Sequence, residues 1–307
     1  MLEDFRQTRI MPNLVLRSKI IRAVRRFFLA RDYIEVETPV RIPAPAPETH
    51  IDAVSSGTWF LQTSPELCMK RLLAAGFPRM FQICRCFRDN ERGKRHLPEF
   101  TLLEWYCAHT DYRDMMVECE ALIRQVACCI GSADVLHFRG NAIRLKAPWQ
   151  RVTVKEAFDR YAGGSLDSAL ESGRFDEVMA LEIEPNLGKD GPVFLLDYPA
   201  RKGALARLKP DDPRYAERFE LYIGGLELCN AFSELTDPEE QRLRFLKETQ
   251  TRVENGKKPY PVPKNFLAAM PKMPAASGNA LGVDRLVMLF CNASEIDEVT
   301  AFVPEEL

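Results

Sequence analysis

The chain has 307 residues, 46% of them hydrophobic, enough for a buried core in one large domain or two small ones. Its 42 Lys plus Arg are balanced by 44 Asp plus Glu, which argues against the basic stripe of a protein that grips a wide nucleic-acid surface. Nine cysteines without paired CxxC spacing, no secretory leader and no apolar run near the roughly 18 residues of a membrane span point to reduced thiols in a cytoplasmic protein.

Residues 14–30 read as an amphipathic helix, with Leu16, Ile20, Val24, Phe27 and Phe28 on one face and Arg17, Arg22 and Arg25 on the other. Residues 33–38 alternate as a strand and stop at Pro39, which has no N–H for a ladder. A stiff loop (43–48) and a short strand (60–63) follow. Residues 64–76 read as a helix with Ser64 as cap and Pro65 at the first helical position. Residues 80–87 lead into a hairpin that returns through Tyr106. A second amphipathic helix covers 114–130, and 131–191 read as a loop-and-helix insertion. Two strands, 219–223 and 226–232, are joined by Gly224-Gly225, a hairpin signal. A polar helix (238–254), a loop (270–280) and an apolar helix opened by Gly282 (282–290) complete the chain. Strands joined by hairpins rather than regular βαβ crossovers predict an α+β fold, an antiparallel sheet flanked by helices.

Four groups of residues carry chemistry. Arg88 ends the first hairpin strand, Arg92, Lys94, Arg95 and His96 crowd a loop read as mobile, and Phe100 and Glu104 lie on the return strand. Guanidinium binds phosphate through two parallel hydrogen bonds, and an aromatic face can stack on a purine. A solvated basic turn is the plainer reading of that loop alone. Glu220 and Glu227 lie on the two strands of the Gly224-Gly225 hairpin, and such a pair can hold Mg²⁺ together with substrate phosphates. Two surface glutamates on an edge are the alternative, but the second strand, with Asn230 and then Glu234, is too apolar for an exposed edge. Glu66, Glu104 and Glu234 come from three separate places. Converged, they form an acidic pocket for a substrate with two amino groups, because unpaired buried carboxylates are costly. Pairing of each with a local arginine is the alternative. Arg285 opens a helix beside Gly282, where guanidinium and helix terminus both favour phosphate. Neither a P-loop nor a GxGxxG after a strand is present, so a nucleotide site is of another kind.

Together these segments resemble the class II aminoacyl-tRNA synthetase catalytic domain, in its lysyl branch. The helix and strand ending at Pro39 look like motif 1, FRDNER through PEFTLLEWY (87–106) like motif 2, and GNALGVDRLVML (278–289) like motif 3. TSPEL (63–67) and ELCNAFSEL (227–235) look like the two lysine-site segments. The resemblance implies ATP and Mg²⁺ as cofactors, activation of an amino acid as its adenylate, and a homodimer built on motif 1. It implies that Arg88 binds the α-phosphate and substrate carboxylate, Arg285 the γ-phosphate, Phe100 the adenine and His96 the leaving phosphates. Asn90 stands where motif 2 carries glutamate, and would meet the adenine amino group. Glu220 and Glu227 would hold Mg²⁺, and Glu66, Glu104, Tyr106, Asn230 and Glu234 the amino acid.

Motif 1 begins near the N-terminus, where a lysyl-tRNA synthetase first carries an anticodon-binding domain. The expectation is a single catalytic domain over residues 1–307 without one, as in the stand-alone paralogues that join (R)-β-lysine to a lysine of elongation factor P. Ala280 occupies a position where lysyl-tRNA synthetases carry glycine, and its methyl group would favour an amino group on the β-carbon. A compact lysyl-tRNA synthetase-like enzyme that acylates RNA or another acceptor is the alternative.

Overall fold

The computed structural model describes residues 5–132, 134–203 and 205–307. Helix α1 (Arg6–Leu29) starts eight residues before the predicted helix and runs through Pro12. Proline removes one helical hydrogen bond, but tertiary contacts hold this first stretch. The Arg6 guanidinium donates to the carbonyls of Asp297 (2.6 Å), Thr300 (3.1 Å) and Ala301 (3.0 Å) and to Glu306 Oε2 (2.7 Å). Ile20, Val24, Phe27 and Phe28 form its buried stripe, as their spacing predicts. The predicted strand 33–38 is reduced to β1 (Ile34–Glu35), which pairs only with one edge of the main sheet.

Strands β2 (Arg41–Ile42), β3 (Ser55–Ser56) and β4 (Trp59–Leu61) make a small separate sheet around the proline loop. Helix α2 (Glu66–Ala74) follows, and Ser64 Oγ accepts the Glu66 N–H at 3.1 Å. The long hairpin is β5 (Arg79–Phe87) and β6 (Glu99–Ala108), and Asp111 caps α3 (Tyr112–Cys129). The region 131–191 holds more strand than expected. It contains the hairpin β7 (Val135–Phe138) and β8 (Asn141–Arg144), then β9 (Gln150–Thr153), before helices α4 (Val154–Tyr161), α5 (Leu166–Glu171) and α6 (Phe175–Val178). Its own apolar cluster, including Phe158, Phe175 and Ile183, pays the ordering entropy of this insertion.

Strands β10 (Val193–Pro199), β11 (Tyr215–Ile223) and β12 (Leu226–Ser233) come next, with Gly224 and Gly225 at φ 61° and 69° in the tight turn. Helix α7 (Pro238–Glu254) has the predicted bounds, and α8 (Lys264–Ala269) follows. The segment read as a loop is instead β13 (Ala276–Gly282), a central strand hydrogen-bonded to β6 and β12. Its residues have little strand propensity, but partners on both edges satisfy its backbone. Helix α9 (Val283–Cys291) closes the core.

The main sheet has the order β1-β5-β6-β13-β12-β11-β10-β9. The six strands from β5 to β10 are antiparallel, as expected, while β1 and β9 add parallel edges, so the sheet is mixed. Leu103, Trp105, Leu281, Cys229, Ala231, Phe219 and Leu221 belong to the large core cluster shared with residues of α1, α3 and α9. The alternate residues of the same strands are therefore turned to the opposite face. Among the described residues no helix is long and apolar enough to cross a membrane.

One buried ion pair ties three of these elements together. Arg17 Nη1 donates to Asp284 Oδ1 at 2.6 Å, the Thr101 N–H donates to Asp284 Oδ2 at 2.6 Å, and Arg17 Nη2 donates to Thr101 Oγ1 at 2.8 Å. Removing one partner of a buried pair leaves the other uncompensated. Asp284→Ala is expected to cost about 3–5 kcal/mol in urea unfolding. Its effect should be strongly non-additive with Arg17→Ala in a double-mutant cycle. Additive losses would show that the two side chains are energetically independent.

Candidate active site

A single register across four strands builds the floor of the site. Glu104 on β6 pairs with Ala280 on β13, Ala280 with Asn230 on β12, and Asn230 with Glu220 on β11. Two residues along, Tyr106, Gly278, Phe232 and Arg218 form a second row. Both rows border a cavity of about 1210 Å³. Every site residue proposed from sequence lines this cavity except Glu234, which is buried and absent from its wall.

At one end the cavity is acidic. Glu104 is 1% exposed; its Oε2 accepts from Ser64 Oγ at 2.6 Å and its Oε1 from the Tyr106 hydroxyl at 2.5 Å. Burial, reinforced by the nearby Glu66, pushes its carboxyl up to about 8. Glu66 and Glu234 do converge, but around a residue not singled out from sequence. The buried Lys70 ammonium donates to Glu66 Oε1 at 2.6 Å and forms an ion pair with Glu234. Burial works against its charge, yet Glu234 and Glu66 outweigh that and hold it above its ordinary range. The signal was local, since Glu66 and Lys70 are four apart on one helix. Gly278 makes this packing possible. A Cβ there would stand 2.4 Å from Tyr106 Cε1 and 2.6 Å from Glu234 Oε1.

The other end is cationic. The Arg88 guanidinium lies 4.9 Å from the Phe100 ring centroid, its Nη1 is 3.7 Å from Glu91, and its buried Nε has no hydrogen-bond partner among the described residues. Arg285 Nη1 donates to the Glu227 carbonyl (2.9 Å) and to Glu227 Oε2 (3.1 Å). Its Nη2 is 2.6 Å from His96 Nε2. Partial burial and Arg285 hold the His96 imidazole down at about 4, so the neutral ring accepts that hydrogen bond. Arg95 donates to the Gly225 carbonyl at 3.0 Å.

The loop between β5 and β6 is not the free cationic loop expected. Arg92 is bound to Asp297 (2.9 Å) and Glu305 (2.8 Å), and Lys94 to Glu295 (3.2 Å), all in the C-terminal segment. These partners lie some 200 residues away in sequence, beyond the reach of local patterning. Asn90 adopts φ 62°, a left-handed conformation that asparagine tolerates better than most side chains.

Glu220 and Glu227 are not directly opposed, because Glu220 faces Asn230 and Glu227 faces Tyr222 across an irregular step. Glu220 accepts from the Tyr198 and Tyr222 hydroxyls, each at 2.6 Å, and from Arg218 Nη2 at 2.6 Å. Arg218 also donates to the Asn230 side-chain oxygen at 3.0 Å. Burial and then Glu227 raise the Glu220 carboxyl. Glu184, from the 131–191 insertion, is pushed up to about 7 by burial and by the same two glutamates. Among the described residues no group of three or more His, Cys, Asp or Glu is arranged to hold a metal ion.

Comparison with known proteins gives the family. Residues 2–306 match the family model of class II tRNA synthetases (D, K and N). Three similar relatives are each named elongation factor P–(R)-beta-lysine ligase. The one from Pectobacterium atrosepticum is 40% identical over 311 residues, 95% of each chain. That from Sodalis glossinidius is 40% identical over 313 residues, again 95% of each chain. The relative from Klebsiella pneumoniae subsp. pneumoniae is 40% identical over 309 residues, 95% of this chain and 94% of its own. The chain belongs to the class II tRNA synthetase family.

Proposed function

We propose that this protein is a ligase that activates (R)-β-lysine with ATP and joins it to a lysine side chain of elongation factor P. The observation that carries this reading is one cavity with opposite charge at its two ends. Glu104 and its neighbours suit the amino groups of a lysine-type substrate, and Arg88, Arg95 and Arg285 suit a polyphosphate. The relatives' names supply the acceptor, and the alternative of RNA acylation finds no support among them.

In the first step the substrate carboxylate attacks the α-phosphorus of ATP and diphosphate leaves. Arg88 would hold the α-phosphate and the incoming carboxylate. Its guanidinium lies 4.9 Å from the centroid of Phe100, which lines the cavity and would stack on a purine. Arg285, with His96 as its neutral acceptor, would receive the departing phosphates. In the second step the acceptor amine attacks the adenylate carbonyl, AMP leaves, and one proton is lost as the amide forms. Positioning and charge compensation carry both steps, without a covalent enzyme intermediate.

Glu220 and Glu227 would hold Mg²⁺ as a pair, with substrate phosphates supplying further ligands; burial and then Glu227 raise the Glu220 carboxyl, which a divalent cation would relieve. When bound, the ion would neutralise phosphate charge. We place the reaction in the cytoplasm, where nine free thiols would stay reduced. Intact-mass analysis of elongation factor P after incubation with the protein, ATP and (R)-β-lysine tests the whole reading. A gain of one lysyl unit is expected, and no gain would refute it.

The protein is also proposed to work as a homodimer through α1. Met11 and Val15, four residues apart on that helix, are 58% and 51% exposed. Sedimentation velocity should show a dimer at micromolar concentration, and Val15→Glu should shift it toward monomer. A wild-type monomer would refute this.

Ala280 lies on the cavity floor between Glu104 and Asn230. If its methyl group excludes an α-amino group, Ala280→Gly should raise kcat/KM for α-lysine relative to β-lysine roughly 10- to 200-fold, the range for one methyl in a close-fitting pocket. The ratio is read in lysine-dependent exchange of pyrophosphate into ATP. A change within about twofold would remove Ala280 from the choice of isomer.

A further inference from the structure

An amide side chain has two ends of nearly the same shape and opposite hydrogen-bonding sense, so its use in a site depends on what holds it in one orientation. A carboxylate that ligates a metal has a similar need, because the groups bonded to it fix its direction. Asn230 and Glu220 face each other across β12 and β11, and one guanidinium answers both. It belongs to Arg218, to which the sequence reading assigned no role. Arg218 lies two residues from Glu220 on β11, in the second row of the floor, and borders the cavity.

The planar fork of Arg218 spans three acceptors: Nη2 donates to Glu220 Oε1 at 2.6 Å, Nε to Asn230 Oδ1 at 3.0 Å, and Nη1 to the Lys202 carbonyl. Its guanidinium carbon lies 4.3 Å from the ring centroid of Tyr198, whose hydroxyl donates to Glu220 Oε2 at 2.6 Å. The third acceptor is itself anchored. Lys202 ends the short turn Ala200–Lys202, and its ammonium donates to Asp176 Oδ2, on α6, at 2.6 Å. The Arg218 and Glu220 side chains are only 15% and 11% exposed. Burial works against the guanidinium charge, but Glu220 and then Tyr198 outweigh it and hold it above its ordinary range. Arginine can only donate, so Asn230 must turn its oxygen toward Arg218. Among the described residues no other side-chain hydrogen bond orients that amide.

We infer that Arg218 is a positioning residue that aligns the metal carboxylate and the amino-acid amide with each other, so that both subsites depend on one side chain. The inference rests on the roles proposed above for Glu220 and Asn230. A lysine could not do the same, because an ammonium is a point donor, whereas these three acceptors are met by three different nitrogens of one plane.

Pyrophosphate exchange, together with calorimetry of (R)-β-lysine binding in the absence of ATP and Mg²⁺, tests this. Arg218→Gln should raise the KM and the calorimetric Kd for (R)-β-lysine, and the Mg²⁺ concentration that gives half-maximal exchange. Each should rise roughly 10- to 100-fold, the usual loss on removing a group that orients a ligating side chain. At saturating amino acid and Mg²⁺ its kcat should stay close to that of the wild type, which also reports an intact fold. Arg218→Lys keeps the buried charge and should raise the same constants by less. In an Asn230→Ala background the loss of β-lysine affinity from Arg218→Gln should largely vanish, because the amide it orients is gone. Wild-type constants in either Arg218 variant, additive losses with Asn230→Ala, or a lowered kcat alone, as a purely structural role would give, overturn the assignment. If the wild-type protein gives no exchange with any lysine-type amino acid, the substrate reading itself is overturned and this assignment falls with it.

Discussion

The site exists because β6, β13, β12 and β11 share one register. Glu104, Ala280, Asn230 and Glu220 occupy that row, and their immediate neighbours Leu103, Leu281, Ala231, Cys229, Phe219 and Leu221 are core residues. Side chains alternate across a sheet, so a slip of one residue on any of these strands would exchange a site residue for an apolar core one. The buried face penalises that slip on every strand. The hydrophobic pattern that folds the protein therefore also fixes the order of groups along the cavity floor, and the polar face need not contribute to stability at all.

Electrostatics then divides this floor into two halves that are each unfavourable when empty. At the acidic end Lys70 offsets part of the repulsion, but the Glu104 carboxyl still stands at about 8. At the cationic end Arg95 and Arg285 share one region, and the neutral His96 ring lets a guanidinium donate into it without a further positive charge. Such like-charge placement costs stability in the free protein and is relieved by a ligand of opposite sign at each end. That asymmetry, rather than any single residue, makes the cavity suited to a molecule cationic at one end and anionic at the other.

Much of this was legible from sequence where the determining pattern is local. The Gly224-Gly225 turn between β11 and β12 and helix α7 both follow from spacing and turn chemistry. Several of the failures share one cause, a partner distant in the chain. β13 is a strand because two others hold its edges, α1 extends through Pro12 because Arg6 is anchored near residue 300, and Arg92 and Lys94 are neutralised by the C-terminal segment. Lys70 is different: its partner Glu66 is one turn away, so the pair was readable.

The low propensity that hid β13 also explains its place in the site. A strand of Ala276, Ser277, Gly278, Asn279 and Ala280 presents almost no side chain to the cavity, so the groups on either side of it can approach closely. At Gly278 the vacant Cβ position is filled by Tyr106 and Glu234, which fixes the acidic end. At Ala280 a single methyl group stands between Glu104 and Asn230. Shape at the floor is thus set by β13, while charge is set by its neighbours on β6, β12 and α2. The two can vary independently: a change of one methyl on β13 would alter the shape of the floor and leave the carboxylates beside it in place. A pocket built this way can move between closely related diamino acids without rebuilding its electrostatics.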